Sequence, residues 1–192
     1  MANNVTNILL VGVGGQGILL ASEVLSEVLM LAGYDVKKNE IHGMAQRGGS
    51  VVSHVRFGEK VHSPIIPEGE ADILFGFELL ETYRYLPLLR RQGKVLVNTL
   101  KIMPPSVALG LEPYPSDIEA KIAELVPETR AVDGLGLALE AGNDRTVNTV
   151  LLGALAGWLP LSEDLWRQAL ERTVPERFLA ENLKAFALGQ AA

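Results

Sequence analysis

A glycine-rich turn directly follows a short apolar run near the start of the chain. Residues 8–11 are typical of a buried strand, and residues 12–17 (Gly-Val-Gly-Gly-Gln-Gly) lead from it into a helical pattern. A Gly-x-Gly-x-x-Gly pattern can bind phosphate in this context, because the first helical turn offers unpaired N–H groups and a positive dipole end. The predicted cofactor-binding residues are Gly12, Gly14, Gly15, Gln16 and Gly17.

Two other interpretations of this glycine turn (residues 12–17) stay open. Open α/β sheets use glycine turns at this place without binding any ligand. An NAD site would need an acidic residue about 20 residues further on, at the end of the second strand. The predicted second strand, residues 34–38, ends instead with Lys37 and Lys38, and Glu40 is displaced by a few residues. The two lysines could hold the 2′-phosphate of NADP, which would make the chain a stand-alone NADP- or other nucleotide-binding Rossmann-like protein, or they could simply be solvated.

A second group of polar residues and glycines lies in the predicted loop 40–49 (residues 40–49). The guanidinium of Arg47 suits a phosphate or carboxylate, His42 can titrate, and Gln46 adds hydrogen-bond donors. Because this loop follows the second strand, we expect it at the carboxyl edge of the sheet, meeting the glycine turn. The alternatives are a surface position or a salt bridge for Arg47, a structural hydrogen bond for His42, and a simple turn into the next strand for Gly48 and Gly49. The predicted active-site or partner-contacting residues are His42, Met44, Gln46, Arg47, Gly48 and Gly49.

No catalytic constellation is evident elsewhere in the sequence, and we name no catalytic residue. Ser53, His54 and Asp72 cannot be assembled into a triad from their spacing. Asn148 is expected to cap or pack a helix rather than to take part in chemistry.

Composition excludes several classes of protein. The 192 residues contain no cysteine, which removes disulfides, thiolate nucleophiles and cysteine-ligated clusters. With only three scattered histidines, no metal site is expected. A net charge of −6 argues against nucleic-acid binding, and no window suggests a membrane span or a secretion signal.

Strand and helix patterns alternate along the chain, which predicts an α/β fold. We expect a Rossmann-like, three-layer, mostly parallel sheet with an edge hairpin and C-terminal helices. In the hairpin, residues 50–57 pair with residues 61–63. Further strands are predicted at 71–77, 94–98 and 129–132. Helices are predicted at 15–32, 78–91, 117–125, 135–141, 147–158, 162–172 and 175–188, with an irregular connection at 103–115.

The first predicted helix is apolar around most of its circumference. Its polar side chains beyond Gln16 form one narrow stripe, whereas a helix facing water should show a wider polar arc. We expect this helix to pack on its own sheet and on a second neighbour. With 48% hydrophobic residues overall, the excess apolar surface is expected to be covered by a partner protein.

Together these motifs resemble the gamma-type subunit of 2-oxoacid:ferredoxin oxidoreductases. The resemblance rests on the glycine turn, on Glu-Ile-His-Gly-Met-Ala-Gln-Arg-Gly-Gly-Ser (residues 40–50), on Asn148 with Leu-Gly-Ala at 152–154, and on residues 181–186. It spans nearly the whole chain, so it implies a single gamma-type domain over residues 1–192, with the helices from about residue 146 packed on it. The His-Gly-Met-Ala-Gln-Arg-Gly-Gly version of the loop favours the arylpyruvate (indolepyruvate) branch.

The resemblance also implies a division of labour between two subunits. A large alpha subunit would carry thiamine diphosphate and iron–sulfur clusters, and would convert a 2-oxoacid to acyl-coenzyme A with ferredoxin as electron acceptor. The present chain alone would bind no cofactor. Arg47 and the glycine turn would face the coenzyme A or thiamine pyrophosphate region at the subunit junction. A cytoplasmic location and self-association of the isolated chain are further expectations.

Overall fold

The computed structural model describes residues 5–42 and 48–192, and of His42 only the backbone. Within these described residues, six strands form one sheet in the order β2-β3-β1-β4-β5-β6. Strands β4, β5 and β6 run parallel to β1, whereas β3 is antiparallel to both of its neighbours, β1 and β2. The predicted mostly parallel α/β sheet is therefore confirmed. The strands are β1 (Thr6–Val13), β2 (Asp35–His42), β3 (Ser50–Gly58), β4 (Ala71–Gly76), β5 (Leu89–Asn98) and β6 (Thr129–Val132).

Helices cover both faces of the sheet. Adjacent strand residues point to opposite faces, so Leu10 and Phe75 pack toward one helical layer while Leu9 and Leu74 pack toward the other. The first layer contains α1, α5, α6, α7 and α8, and the second contains α2 and α4. Within the described ranges, no helix has the length and apolar character needed to cross a membrane. The helices are α1 (Ile18–Leu31), α2 (Leu79–Tyr85), α3 (Pro105–Ala108), α4 (Ile118–Leu125), α5 (Gly134–Ala141), α6 (Val147–Ala156), α7 (Glu163–Thr173) and α8 (Glu176–Ala191).

The edge hairpin exists, but its partner strand was predicted wrongly. Strand β3 pairs along its length with β2, from Asp35 opposite Gly58 to His42 opposite Val51, and not with residues 61–63. Strand β2 therefore continues through residues 40–42, which were predicted as loop. An edge strand has a solvated face and tolerates polar residues such as Glu40. Residues 40–42 therefore lack the apolar pattern that predicts a strand.

The predicted helix over residues 78–91 was also wrong in its second half. Helix α2 ends at Tyr85, a short 3₁₀ turn spans Leu86–Leu88, and β5 already begins at Leu89. Pro87 explains the break, because proline lacks an N–H and restricts the residue before it. Within the predicted irregular connection 103–115, the short helix α3 forms. The helix predicted at 147–158 ends two residues earlier, as α6.

Helix α1 has its second neighbour within the same chain. Its buried residues face the sheet on one side and helices α6 and α7 on the other, and Arg172 of α7 donates to Glu27 of α1 at 2.8 Å. Of its large apolar side chains, Leu19 and Met30 are exposed, at 43% and 52%. The apolar character of α1 is thus explained by burial between layers, and it gives no support to a partner protein.

Helices α6 and α8 approach each other closely through two glycines. A Cβ atom added at Gly153 would lie 2.1 Å from the carbonyl oxygen of Phe186, and one added at Gly189 would lie 1.9 Å from that of Val150. Beside this contact, the Thr149 hydroxyl donates to Oδ1 of Asn182 at 2.6 Å. The glycines let the backbones touch, and the buried polar pair fixes the register of the two helices.

Candidate functional site

The structure brings the two predicted glycine segments together at the carboxyl edge of the sheet. Strands β1 and β2 run in the same direction with β3 between them, so the segments that follow them emerge at the same edge. The Gly14 N–H donates to the Gly49 carbonyl at 2.8 Å, and the Gly48 N–H donates to the Gly14 carbonyl at 3.4 Å. The glycine turn and the end of loop 40–49 therefore form one continuous backbone surface.

Gln16 holds this surface in shape through both ends of its side-chain amide. Its Oε1 accepts the Val13 N–H at 2.7 Å, and its Nε2 donates to the Phe77 carbonyl at 2.7 Å. These bonds tie the end of β1 to the end of β4. Gln16 therefore shapes the turn, and its amide is already engaged within the chain.

Gly12 and Gly17 are required by the geometry of the turn. A Cβ atom at Gly12 would lie 2.6 Å from Oε1 of Gln16 and 2.8 Å from Cβ of Phe77, so a side chain there would displace the glutamine. Gly17 is the N-cap of α1 with φ of 75°, in the left-handed region that favours glycine. It offers no side-chain cap, and the first turn of α1 holds no acidic residue. The N–H groups at this helix end therefore keep their affinity for an anion.

Asn148 lies directly beneath the N-terminus of α1. It is 4% exposed, and its Nδ2 lies 3.5 Å from the Gly17 carbonyl oxygen. The predicted packing role is therefore met in the first turn of α6. The same side chain lines a small cavity of about 150 Å³, together with Leu20 of α1, Arg145, Thr146 and Asn182.

Lys37 and Lys38 are engaged with carboxylates on their own strand. Lys37 pairs with Asp35, and Lys38 pairs with Glu40 at 3.2 Å. The Lys37 hydrogen bond, followed by the Val61 N–H, lowers the pKa of Asp35 to about 2. Because both lysines are paired with carboxylates, nothing in the described structure favours an NADP 2′-phosphate site on β2.

A polar cluster on α2 was missed by the sequence analysis. Glu81 is 5% exposed; its Oε2 accepts the Ser50 hydroxyl at 2.6 Å, and its Oε1 accepts from Nη1 of Arg84 at 2.7 Å. The Tyr85 hydroxyl lies 3.4 Å from Oγ of Ser50. The spacing of Glu81, Arg84 and Tyr85 on one helix was visible in the sequence, but their contact with a serine 31 residues away was not.

A second buried carboxylate, Glu78, organises the same edge. It caps α2 by accepting the Glu81 N–H at 2.8 Å, and it also accepts the Ile102 N–H at 3.0 Å and the Tyr114 hydroxyl at 3.2 Å. Burial, and then the charge of Glu78, raise the pKa of Tyr114 well above its usual value. Glu78 thus ties α2 to the connection after β5.

Ser53, His54 and Asp72 are not arranged as a triad in the structure. Ser53 and His54 are neighbours on β3 and so point to opposite faces of the sheet, and Asp72 pairs with Arg90 at 2.6 Å. His54 is buried, and its Nδ1 accepts the Ile66 N–H at 3.2 Å. Burial, and to a lesser extent the Arg56 charge, lower the pKa of His54 below its usual 6.5.

The remaining predicted site residues lie at the limit of what the structure describes. The backbone of His42 belongs to β2, opposite Val51. Met44, Gln46 and Arg47 lie outside the described residues, so their roles stay predictions. Over residues 5–42 and 48–192, no group of three or more His, Asp or Glu side chains is placed to hold a metal ion.

Comparison with known proteins identifies the family. Residues 7–192 match the family described as pyruvate ferredoxin/flavodoxin oxidoreductase. The chain is 43% identical over 190 residues to Indolepyruvate oxidoreductase subunit IorB of Thermococcus kodakarensis, covering 95% of this chain and 93% of that one. It is 43% identical over 188 residues to the subunit of the same name in Pyrococcus horikoshii, with the same coverage.

A solved structure of a related subunit has the same fold as this chain. The gamma subunit of keto/oxoacid ferredoxin oxidoreductase from Geobacter sulfurreducens superposes with a TM-score of 0.72 at 25% identity, covering 97% of this chain and 99% of that one. The predicted resemblance, including its indolepyruvate branch, is confirmed. The chain belongs to the pyruvate ferredoxin/flavodoxin oxidoreductase family.

Proposed function

We propose that this chain is the small subunit of an arylpyruvate:ferredoxin oxidoreductase. The observation that carries the proposal is 43% identity, over 95% of the chain, to a protein named Indolepyruvate oxidoreductase subunit IorB. In this proposal a large alpha subunit holds thiamine diphosphate and the iron–sulfur clusters. The complex converts indolepyruvate or a related 2-oxoacid to its acyl-coenzyme A, and ferredoxin accepts the electrons. The lack of cysteine fits this arrangement, because cysteine thiolates are the usual ligands of such clusters.

In this complex the glycine turn and the end of loop 40–49 contribute an anion-binding surface. The uncapped N-terminus of α1, its first turn without acidic residues and the exposed backbone of Gly15 all suit a phosphate group. Coenzyme A and thiamine diphosphate both carry phosphates. Arg47 would add the charge of its guanidinium to this surface.

Exposed apolar side chains at the same edge support a partner subunit. The connection after β5 begins at the carboxyl edge of the sheet, and in it Met103 is 53% exposed while Leu109 and Leu111 are each 74% exposed. Such side chains are typical of surfaces that a partner covers. A single domain over residues 1–192, a cytoplasmic location and self-association of the isolated chain stay predictions.

Reconstitution tests the proposal. The chain is purified alone and together with the large subunit, and reduction of ferredoxin or a viologen dye is followed with indolepyruvate and coenzyme A. We expect turnover from the complex and none from the lone chain, because the electron-transfer groups belong to the partner. Turnover by the lone chain, or none by the complex, would contradict the proposal.

The same assay tests the anion-binding surface. In the complex, Arg47→Ala should raise the KM for coenzyme A about tenfold, the expected effect of losing a charged hydrogen bond. Arg167→Ala is the control, because Arg167 is an exposed arginine on α7 that pairs with Asp164. An unchanged KM and turnover in the Arg47 variant would contradict this assignment alone.

A further inference from the structure

The carboxylate of Glu81 on α2 is almost fully buried, which is unusual for a charged side chain. It accepts hydrogen bonds from Ser50 and Arg84, one on each oxygen. Burying a carboxylate is costly unless it is paired, and the guanidinium of Arg84 supplies the opposite charge. The 2.6 Å separation between Oε2 of Glu81 and Oγ of Ser50 is that of a strong, charge-assisted bond. Glu81 therefore holds Ser50 firmly against α2.

Ser50 is covalently continuous with the surface proposed to bind an anion. It is the first residue of β3 and directly follows Gly48 and Gly49, which exchange backbone hydrogen bonds with Gly14. Two glycines in succession have little conformational restraint of their own. The position of this backbone relative to the glycine turn thus depends on what holds Ser50.

Helix α2 is itself fixed to the sheet at this point. Leu79 and Leu80 at its start are buried in the same cluster as Leu74 of β4, and Glu78 caps the helix by accepting the Glu81 N–H at 2.8 Å. Glu81 therefore holds Ser50 from a rigid helix, and a binding site needs such support to keep its groups in place.

We propose that Glu81 is a positioning residue: through the Ser50 hydroxyl it holds Gly48 and Gly49 against Gly14 and so shapes the anion-binding surface. This inference rests on the proposed function, since it assigns the surface to a phosphate-bearing ligand of the complex. Glu81 touches no ligand itself. Its loss would loosen the surface without removing any group that binds.

The test uses the complete complex, with coenzyme A as the varied substrate. Ser50→Ala removes the hydroxyl that Glu81 holds, and Glu81→Gln keeps the side-chain shape but removes its charge. Each variant should raise the KM for coenzyme A about tenfold, with a much smaller change in kcat. Ser50→Thr keeps the hydroxyl and should restore the KM. Because both changes break one contact, the double variant should be no worse than either single variant.

Ser63→Ala is the control for loss of an exposed serine hydroxyl. Arg56 donates to the Ser63 carbonyl at 2.9 Å, and Arg56 lies six residues along β3 from Ser50, about 20 Å away. This variant should leave the KM unchanged.

Each outcome bears on one proposal. An active complex in which Ser50→Ala has the unaltered KM would overturn the role of Glu81 and leave the proposed function intact. Strictly additive effects in the double variant would overturn it as well. Inactivity of the unaltered complex with every arylpyruvate would instead overturn the proposed function.

Discussion

At the scale of single residues, the carboxyl edge of the sheet is shaped by side chains whose polar atoms are already bonded. Gln16 uses both ends of its amide on backbone groups, and Glu81 uses both oxygens on Ser50 and Arg84. Among the residues that the structure describes at this edge, backbone N–H groups of the glycine turn are left for a phosphate, and Arg47 would add its guanidinium. Substitutions here should therefore alter ligand affinity through the shape of the backbone.

His54 illustrates a residue that affects stability rather than chemistry. Its folded pKa is lowered by burial, so above about 6.5 it is neutral in both states and its Nδ1 bond to Ile66 is intact. As pH falls below that value, the unfolded chain binds the proton first, and the free energy of unfolding decreases until the pH passes the folded pKa. The slope from this one group is at most about 1.4 kcal/mol per pH unit.

Urea unfolding at a series of pH values would check this. In His54→Asn, the Oδ1 can take the place of the Nδ1 acceptor without titrating, so the decrease below pH 6.5 should be smaller than in the unaltered chain. His42 and His62 are common to both proteins, so the difference reports His54. Equal slopes for the two would contradict the prediction.

At the scale of elements, the paired glycines of α6 and α8 determine how closely these two helices pack against each other. Gly153→Ala would bring a methyl group to 2.1 Å from the Phe186 carbonyl oxygen, so the helices must separate. We expect a loss of about 1–3 kcal/mol in the free energy of unfolding, as for other overpacked contacts. Urea unfolding measures it.

The control for this prediction is Gly157→Ala at the end of the same helix. Gly157 has φ of −63°, and an added Cβ would meet nothing closer than 3.7 Å. This variant should be neutral or slightly stabilising, because alanine restricts the unfolded chain. If the Gly153 variant were as stable as the Gly157 variant, α6 and α8 could separate at no cost in stability, which would contradict the prediction.

At the scale of the whole molecule, the position of β3 decides which ligands the sheet can bind. Antiparallel β3 lies between β1 and β2, so the end of β2 is about 10 Å from β1 instead of about 5 Å. In a dinucleotide-binding fold, the residue that contacts the ribose comes from the strand next to β1. The lysines of β2 are therefore displaced from that place and paired with Asp35 and Glu40.

From this topology we expect no saturable binding of NADP to the isolated chain at micromolar concentrations. Isothermal titration calorimetry gives the measurement, and a double variant, Lys37→Ala with Lys38→Ala, serves as the control. Tight binding that this double variant abolishes would restore the nucleotide-binding alternative.

The sequence by itself determined the family, the alternation of strands and helices, and the two glycine segments, because each depends on local patterns of apolar residues and glycines. Tertiary structure alone decided that β3 pairs with β2, that α1 is covered by α6 and α7, and that Ser50 meets Glu81. Every strand edge offers the same hydrogen-bonding groups, so pairing follows from how the whole sheet buries its faces. Contacts between residues far apart in the chain, such as Ser50 and Glu81, form only once the strands have paired in this order.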